Sequence, residues 1–457
     1  MYTLHGCGVG SIYPVTSPPT PIGRSWRVAL STLLLIGTLT ACQHKASERL
    51  AQDLRDQNRN QVIGVTNTEV KIGFVIVDQK QLGASVGFAV TDTGDESAQI
   101  TALVDAVNRR GGLANRKIVP IIKVYNAFVD SVVNEEKLCR AFTEDEQVFA
   151  VVLNGQFQKN ARPCYANAKT LMLDQTLVPY DETSVEELKP YFYQPLLMDY
   201  GKLIAALATA LKSQEFLSRS TKLAVLAIDT PQNRRVVQDR LIPQLDQMDA
   251  TAQDIQWIDP TSNATLQAGQ NQAVLAFKSE GIDRVLIVGG SRLLPFFVSV
   301  AIPQNFMPRY AITSFDSPAF VALRTPEALQ GAVGISLSPS DLNDAAVPFP
   351  SSPAERACVE TLAAAGIQFA GRSNARPALA YCDLLSVLEQ SFRASEDLTA
   401  DGFREGLDRI TDVQTATNYR VGLSSSSSFG VVGYRPITFQ PSCVCFEFAE
   451  EVQVIER

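Results

Sequence analysis

The residues Gly83-Ala84-Ser85-Val86-Gly87 match the G-x-S-x-G pattern, which places a nucleophilic serine on a sharp turn after a strand. A serine hydrolase also needs a histidine that removes the proton from the serine hydroxyl. The chain has two histidines, His5 and His44, and both lie in the N-terminal segment, far from this motif. We therefore interpret residues 83–87 as a loop of small residues that lets the backbone approach a ligand. We predict that the protein is not an enzyme.

The same shortage of histidine argues against a catalytic metal site. No G-x-x-x-x-G-K-[ST] phosphate loop is present, and Gly289-Gly290-Ser291-Arg292 is only a glycine-rich turn. Cys443 and Cys445 offer two thiolates to a metal, but no histidine lies nearby, and a disulfide between residues this close in a strand is strained. The pairing of these two cysteines stays open, and we predict no metal and no cofactor.

Polar residues at the ends of predicted strands favour a binding function instead. In two-lobed wound folds, a ligand binds beyond the carboxyl ends of the strands, where free N–H groups of helix N-termini face it. The side chains expected to face such a cleft are Asp78, Ser85, Gln156, Phe157, Thr176, Asp229, Ser291 and Asp316. A strand-end Asp or Thr is more often a helix cap or a turn former. Capping is therefore the alternative role for Asp316, and burial in the core is the alternative for Phe157.

These candidates follow the strands of a repeated β–α pattern. An apolar run over 70–77 predicts a strand covered on both faces, and the helical spacing of apolar residues over 97–110 predicts a helix that ends at Gly111-Gly112. A second apolar strand over 118–125 completes a βαβ unit. Further strands are expected at 148–153, 171–173, 223–228, 255–258, 285–288 and 310–312. We predict an α/β fold of two wound parallel-sheet lobes.

The segment from Val107 to Ile118, which reads VNRRGGLANRKI, resembles the N-x-x-GG-hydrophobic-x-G-R-K-I signature of type I periplasmic binding proteins, specifically the branched-chain amino-acid-binding branch. Asn115 stands where that family usually has glycine. The order of predicted elements follows the family from about 70 to 409. The resemblance implies a hinge, an interlobe cleft, and a small polar solute, such as an amino acid or an amide, as ligand. It also implies the membrane permease of an ABC importer as partner.

The resemblance also suggests roles for individual residues. In the amino-acid-binding relatives, hydroxyl groups and loop N–H groups hold the ligand carboxylate, and an acidic residue of the second lobe pairs with the ligand ammonium. Thr176 matches one hydroxyl position, and Asp316 is the candidate for the acidic one. Gln156 and Phe157 replace small hydroxyl residues of the relatives, and Gln194 replaces the usual arginine of a strand between the lobes.

Cysteine usage is typical of an exported protein. Cys7 would leave with a signal peptide and Cys42 would carry lipid, and the even number that remains favours disulfides. One predicted pair is Cys139 with Cys164, on two helices that flank one strand, where the family often carries a disulfide. The other predicted pair is Cys358 with Cys382, on two consecutive helices.

The N-terminus looks like a lipoprotein signal. Arg24 and Arg27 precede an apolar run over 28–40, and Leu39-Thr40-Ala41-Cys42 looks like a bacterial lipobox. The run is shorter than the ~20 residues that a membrane-spanning helix needs. We predict lipidation at Cys42 and a lipid anchor on the extracytoplasmic face of the cell membrane. The predicted segments are a signal peptide over 1–42, a tether over 43–68, lobe 1 over 69–195 plus 336–410, and lobe 2 over 196–335 plus 411–457.

Composition narrows the choice of partner. The chain has 40 Lys+Arg and 48 Asp+Glu, a formal net charge of −8, so nothing indicates a nucleic-acid partner. We expect a monomer whose lobes close on the ligand by hinge motion. Two alternatives remain: a ligand-sensing lipoprotein that signals to a membrane receptor, and an interaction protein that keeps the fold without binding a ligand.

Overall fold

The computed structural model of the protein describes residues 62–86, 90–176, 178–218, 220–410 and 413–455. The predicted signal peptide over 1–42, its lipidated Cys42 and most of the predicted tether therefore lie outside the described residues. Within the described part of the chain, no helix is both long enough and apolar enough to cross a membrane.

Five parallel strands form the first sheet. They are β1 (Glu69–Asp78), β2 (Lys117–Asn126), β3 (Ala150–Asn154), β4 (Leu171–Gln175) and β5 (Phe192–Tyr193). Their order is β2-β1-β3-β4-β5, so β1 and β3 lie side by side in the middle of the sheet. The helices between these strands are α1 (Lys80–Val86), α2 (Glu96–Arg109), α3 (Val132–Arg140), α4 (Arg162–Asn167) and α5 (Glu182–Val185).

The unit from β1 to β2 follows the sequence pattern closely. Helix α2 begins at Asp95, whose carboxylate accepts a hydrogen bond from the Ala98 N–H at 3.0 Å. It ends before Gly112, which has a φ of +70°. A Cβ atom at Gly112 would lie 1.9 Å from the Arg116 carbonyl oxygen, so only glycine allows the chain to turn here into β2. The prediction that residues 83–87 form a loop is wrong in part, because α1 occupies residues 80–86; its Gly83 and short length hide a helical pattern.

The second sheet repeats this order and extends it. Its strands are β6 (Leu223–Ile228), β7 (Ala252–Ile258), β8 (Arg284–Val288), β9 (Arg309–Thr313), β10 (Val333–Ser336), β11 (Gly433–Gln440), β12 (Cys445–Phe448) and β13 (Gln453–Val454). The parallel part runs β7-β6-β8-β9-β10, which is the arrangement of the first sheet; β11 joins antiparallel to β10, and β12 and β13 pair with β11. The helices of this part are α6 (Tyr200–Ser213), α7 (Pro231–Val236), α8 (Ile242–Asp246), α9 (Asn263–Glu280), α10 (Leu293–Ala301) and α11 (Pro318–Arg324).

Three helices that follow β10 in the chain return to the first sheet. They are α12 (Pro353–Ala363), α13 (Arg372–Ser395) and α14 (Ala400–Arg409). Leu362, Leu379 and Phe403 of these helices share one buried core with Val70 and Ile72 of β1. The opposite face of the first sheet is covered by α3 and α4, and both faces of the second sheet are also covered by helices. We call each sheet with its covering helices a lobe. The structure confirms the predicted α/β fold of two wound parallel-sheet lobes.

Disulfides join neighbouring helices and close one tight turn. Cys139 of α3 is bonded to Cys164 of α4, with Cα atoms 6.4 Å apart, and Cys358 of α12 is bonded to Cys382 of α13, with Cα atoms 6.0 Å apart. These are the two predicted pairs. Cys443 is bonded to Cys445 at the turn before β12, so in this structure the two thiols are not free to bind a metal.

Candidate functional site

A cavity of about 320 Å³ lies between the carboxyl ends of the parallel strands of the two lobes. From the first lobe it is lined by segments that follow β1, β3 and β4, and from the second lobe by segments that follow β8, β9 and β10. In the first sheet, β1 and β3 are neighbours although β2 separates them in the chain, so their connections leave on opposite sides and open a crevice. Such a crevice is where open α/β sheets bind ligands.

A third part of the wall is one face of helix α13. Ser373, Arg376, Pro377 and Ala380 all line the cavity, and their spacing is that of residues on one side of an α-helix. Because residue 377 is proline, it has no N–H to donate to the carbonyl of Ser373, one turn before it. The Ser373 carbonyl therefore lacks its usual hydrogen-bond donor within the helix. It belongs to the same turn of α13 as Arg376.

Apolar side chains form a large part of the cavity wall. They come from both lobes and from the segment that joins them: Val77, Leu82, Val90, Phe157, Leu196, Leu197, Pro295, Phe296, Phe320, Leu323, Leu337, Pro377 and Ala380. Hydroxyl groups are interspersed among them, including those of Thr91, Thr93, Ser291, Ser314, Ser338, Ser373 and Thr417. A wall of this kind suits a solute that has an apolar body and a few polar groups.

Two acidic residues belong to the wall. Asp341 is buried, and its Oδ2 accepts hydrogen bonds from the hydroxyls of Ser314 and, at 2.9 Å, Ser336, whereas its Oδ1 has no hydrogen-bond partner among the described residues. Burial raises the pKa of Asp341, and the positive charge of Arg376 opposes that rise. Glu96 accepts from the Thr93 hydroxyl at 2.8 Å, and burial raises its pKa as well. Both carboxyl groups can accept a hydrogen bond from a ligand.

Arg292 of the second lobe is also on the wall, but its charge is already neutralised. Its Nη1 donates to Asp130 Oδ2 of the first lobe at 3.0 Å, and the guanidinium lies over the Phe157 ring, 5.1 Å from its centre. Asp130 also accepts from the Tyr125 hydroxyl at 2.6 Å and from the Gln158 amide at 2.7 Å. This interlobe ion pair joins the segment after β2 to the segment after β8 beside the cavity.

The structure brings two of the predicted ligand-binding residues, Phe157 and Ser291, to the cavity wall. Three others lie away from it and have local roles. Asp78 accepts from the Lys80 N–H at 3.0 Å, and Ser85 donates to the Leu82 carbonyl at 2.7 Å within α1. Asp229 is exposed and forms a two-point ion pair with Arg234 at 2.7 and 2.9 Å.

Gln156 and Thr176 are buried behind the wall and do not line the cavity. The Thr176 hydroxyl donates to Asp174 Oδ1 at 2.5 Å and accepts from Arg162 Nη2 at 3.1 Å. The side-chain amide of Gln156 is 1% exposed and has no hydrogen-bond partner among the described residues. The expectation that both face the cleft is corrected, because side chains alternate in direction along an extended chain and neither of these two lines the cavity.

Asp316 requires the largest correction. Its Oδ2 accepts from the Thr313 N–H at 2.7 Å and from the Thr313 hydroxyl at 3.0 Å, which is a capping box at the end of β9. The side chain is fully buried and does not line the cavity. Burial raises the pKa of Asp316 to about 8. The capping alternative describes this residue, and the T-x-x-D spacing of 313–316 was the sequence signal for it.

The charged residues on the wall that sequence reasoning missed are Glu96, Arg292, Asp341 and Arg376. For Arg376 a signal existed: a second arginine lies one turn earlier, at position 372, and two cations at the start of a helix oppose the helix dipole. For Asp341, the signal was the hydroxyl-rich run over 336–341 directly after a predicted strand.

Three solved structures show what this architecture is similar to. A branched-chain amino acid ABC transporter protein from Thermus thermophilus with bound valine aligns at a TM-score of 0.59 and 12% identity, over 86% of this chain and 98% of that one. The chain has the fold of these binding proteins. A fatty acid ABC transporter substrate-binding protein from Thermomonospora curvata gives 0.60 and 16%, over 87% and 95%. A solute-binding protein from R. palustris in complex with 4-hydroxybenzoate gives 0.61 and 11%, over 84% and 97%.

These alignments cover nearly the whole length of each similar chain, so the shared fold includes both lobes. No protein-family model matches the sequence, and no curated protein matches it. Because the identity to the three similar structures is only 11–16%, the solute of this protein is inferred from its own cavity side chains.

Proposed function

We propose that this protein is the substrate-binding protein of an ABC importer, which binds a small solute between its lobes and delivers it to a membrane permease. The observation that carries the proposal is the cavity at the carboxyl ends of both parallel sheets. The shared fold with ABC transporter binding proteins supports it. Phe157, which would fill the site in a protein without a ligand, lies on the wall and leaves about 320 Å³ open.

The solute we propose is a small molecule with an apolar body and a polar end, with amino acids and amides among the candidates. Apolar side chains form a large part of the wall, and its polar groups include the carboxyl groups of Glu96 and Asp341, which suit an ammonium or an amide N–H. Valine, fatty acids and 4-hydroxybenzoate, the solutes named for the similar proteins, all combine an apolar body with a polar end.

We also propose that a lipid on Cys42 holds the protein, as a monomer, on the extracytoplasmic face of the cell membrane. The lipobox and the disulfides between Cys139 and Cys164 and between Cys358 and Cys382 support an exported protein. In a bacterial host, Cys42→Ala should move the protein from the membrane fraction to the soluble fraction, and mass spectrometry should find acyl chains only on the unsubstituted protein. Membrane retention of the Cys42→Ala protein would contradict the anchor.

Thermal unfolding of the chain from residue 43 onward, against a panel of amino acids, amides, aromatic acids and fatty acids, tests the solute-binding function. A solute present at a hundred times its dissociation constant adds about 2.7 kcal/mol to the free energy of unfolding and raises the melting temperature by several degrees. A selective rise supports the proposal. If no member of a broad panel raises the melting temperature, the protein does not bind a solute of this class.

A bulky side chain in the cavity separates binding there from binding elsewhere. Ser373 is exposed on the cavity face of α13, so Ser373→Trp should fill the cavity with little effect on folding. The variant should show no rise in melting temperature when the solute is added. Ser395→Trp, at the far end of the same helix and outside the cavity wall, is the matched control and should keep it. Loss of binding in both variants, or in neither, would place the solute outside this cavity.

A further inference from the structure

We propose that Arg376 binds a carboxylate of the solute, so that the ligands of this protein are carboxylates with an apolar body. The inference rests on the proposed function and names the chemical class of the solute for the same cavity. It is carried by the contrast between two arginines, Arg372 and Arg376, which lie one turn apart at the start of helix α13.

Arg372 is fully occupied by contacts within the protein. Its Nε donates to Glu355 Oε1 at 2.7 Å, and Nη1 forms an ion pair with Asp344 Oδ1 at 3.2 Å. The same guanidinium donates to the carbonyls of Val347 at 2.7 Å and Pro348 at 2.8 Å. These partners neutralise its charge and use its donors, so Arg372 fixes the segment before α13 and has nothing left for a ligand.

Arg376 has no comparable partners. It is half-buried on the cavity wall, and among the described residues its guanidinium makes no hydrogen bond and no ion pair. A positive charge at this end of a helix is unfavourable for the helix dipole, so the residue does not stabilise α13 by its charge. A partly desolvated guanidinium without an acceptor is costly for the free protein. A bound anion would remove that cost.

Asp341 is the acidic residue of the wall that interacts electrostatically with Arg376, and no ion pair between the two residues occupies the guanidinium. The two residues influence each other electrostatically, but no N···O distance between them is within 4.0 Å. Asp341 Oδ2 is instead held by the hydroxyls of Ser314 and Ser336. Arg376 can therefore turn its planar fork toward the cavity, where two parallel N–H groups match the two oxygens of a carboxylate.

The surroundings of Arg376 define the rest of the solute. Pro377 and Ala380 extend an apolar surface from it along α13, and Leu196 and Leu337 line the same cavity. The hydroxyl of Ser373 lies on the same helix face and offers a further donor to an anion. The guanidinium, the hydroxyl and the apolar side chains beside them favour a monocarboxylate with an aliphatic or aromatic body, and the carboxyl groups of Glu96 and Asp341 on the same wall oppose a polyanion.

Matched pairs of solutes that differ only in charge test this inference. Isovalerate with isovaleramide, benzoate with benzamide, and L-leucine with L-leucinamide are compared by thermal unfolding and by titration calorimetry. The dissociation constant of the best-bound carboxylate should be roughly 10- to 100-fold lower than that of its amide, the factor expected for a hydrogen bond to a charged group. Equal or tighter binding of the amides would overturn the inference and leave the proposed function standing.

The variant Arg376→Gln tests whether Arg376 is the residue that binds the carboxylate. It should weaken binding of the carboxylate roughly 10- to 100-fold and change binding of the amide little, because glutamine keeps a hydrogen-bonding group but loses the charge. Arg393→Gln removes a charge from an exposed position of the same helix and should keep the wild-type preference. Unchanged carboxylate binding in Arg376→Gln would place the anchor elsewhere and overturn the inference. Absence of binding by every pair to the wild-type protein would overturn both the inference and the proposed function.

Discussion

The two lobes each bury an aspartate at the carboxyl end of the fourth parallel strand, Asp174 at β4 and Asp316 after β9. Both are 0% exposed, and each accepts hydrogen bonds from the N–H and the hydroxyl of a nearby threonine, Thr176 or Thr313. They differ in what faces the other carboxyl oxygen. Asp174 Oδ2 accepts from Arg162 Nε at 2.8 Å, whereas Asp316 Oδ1 has no partner among the described residues.

The difference shows two ways of burying the same local motif. In the first lobe, Arg162 supplies a positive charge next to Asp174. Arg162 Nη1 also lies 3.5 Å from Glu135 Oε2. Burial raises the pKa of Glu135 to about 7. The second lobe brings in no cation, and the pKa of Asp316 rises to about 8, so a proton replaces the ion pair at neutral pH. In both lobes the strand-end polar residue supports the fold. The charged residues that can contact a solute come from helix α2, the connections after β8 and β10, and helix α13.

Removing the positive charge of Arg162 from the first lobe should have the largest effect on stability. Arg162→Leu leaves Asp174 and Glu135 buried without a positive partner, and we expect a loss of about 3–5 kcal/mol in the free energy of unfolding. Urea unfolding monitored by circular dichroism measures it. A loss of less than about 1 kcal/mol would mean that the cluster is solvated and that the contrast between the lobes is small.

Removing the titrating group from the second lobe should change the pH dependence of stability. The folded-state pKa of Asp316 is about 8, above the ordinary value of an aspartate. The contribution of this group to the free energy of unfolding is therefore fully present below about pH 4 and is lost as the pH rises toward 8. Asp316→Asn cannot lose a proton. The variant should therefore gain stability relative to the wild type between pH 5 and pH 8, by urea unfolding at both values. A difference between the two proteins that is the same at both pH values would contradict a raised pKa.

The smallest effect on stability is expected for an exposed ion pair. Asp229 and Arg234 form a two-point ion pair on the surface of the second lobe, in which both side chains are exposed. Because solvent screens such a pair, Asp229→Asn should leave the free energy of unfolding nearly unchanged. The same urea assay measures it, and solute affinity should not change. A loss of solute binding in this variant would restore Asp229 as a ligand residue.

The sequence predicted most of the architecture because periodicity reports burial. The apolar runs of β1, β6 and β8 and the stripe of α2 identify strands and helices with faces in the core, and the structure has them. Helix α1 was missed because seven residues with a central glycine carry too little periodicity to separate a helix from a loop.

The site was harder to predict, and the reason is geometric. A strand end shows which residues come near the cleft but not which direction each side chain takes, so Phe157 and Ser291 reach the cavity whereas Thr176 and Asp316 do not. Arg376 could not be found from strand ends, because α13 follows the second lobe in the chain but packs on the first. Only the assembled fold brings its first turns against the cavity.

That same return of the chain constrains how the protein can fold. The core of the first sheet includes α12, α13 and α14, which are synthesised after the parallel strands of the second sheet, and the second sheet in turn needs β11 beside β10. Neither lobe is complete until residues near the C-terminus are available. During synthesis, one face of the first sheet therefore stays uncovered and one edge of the second sheet stays unpaired until these later segments emerge. Native contacts that are so distant in sequence favour slow folding, because long loops must close before these contacts can form.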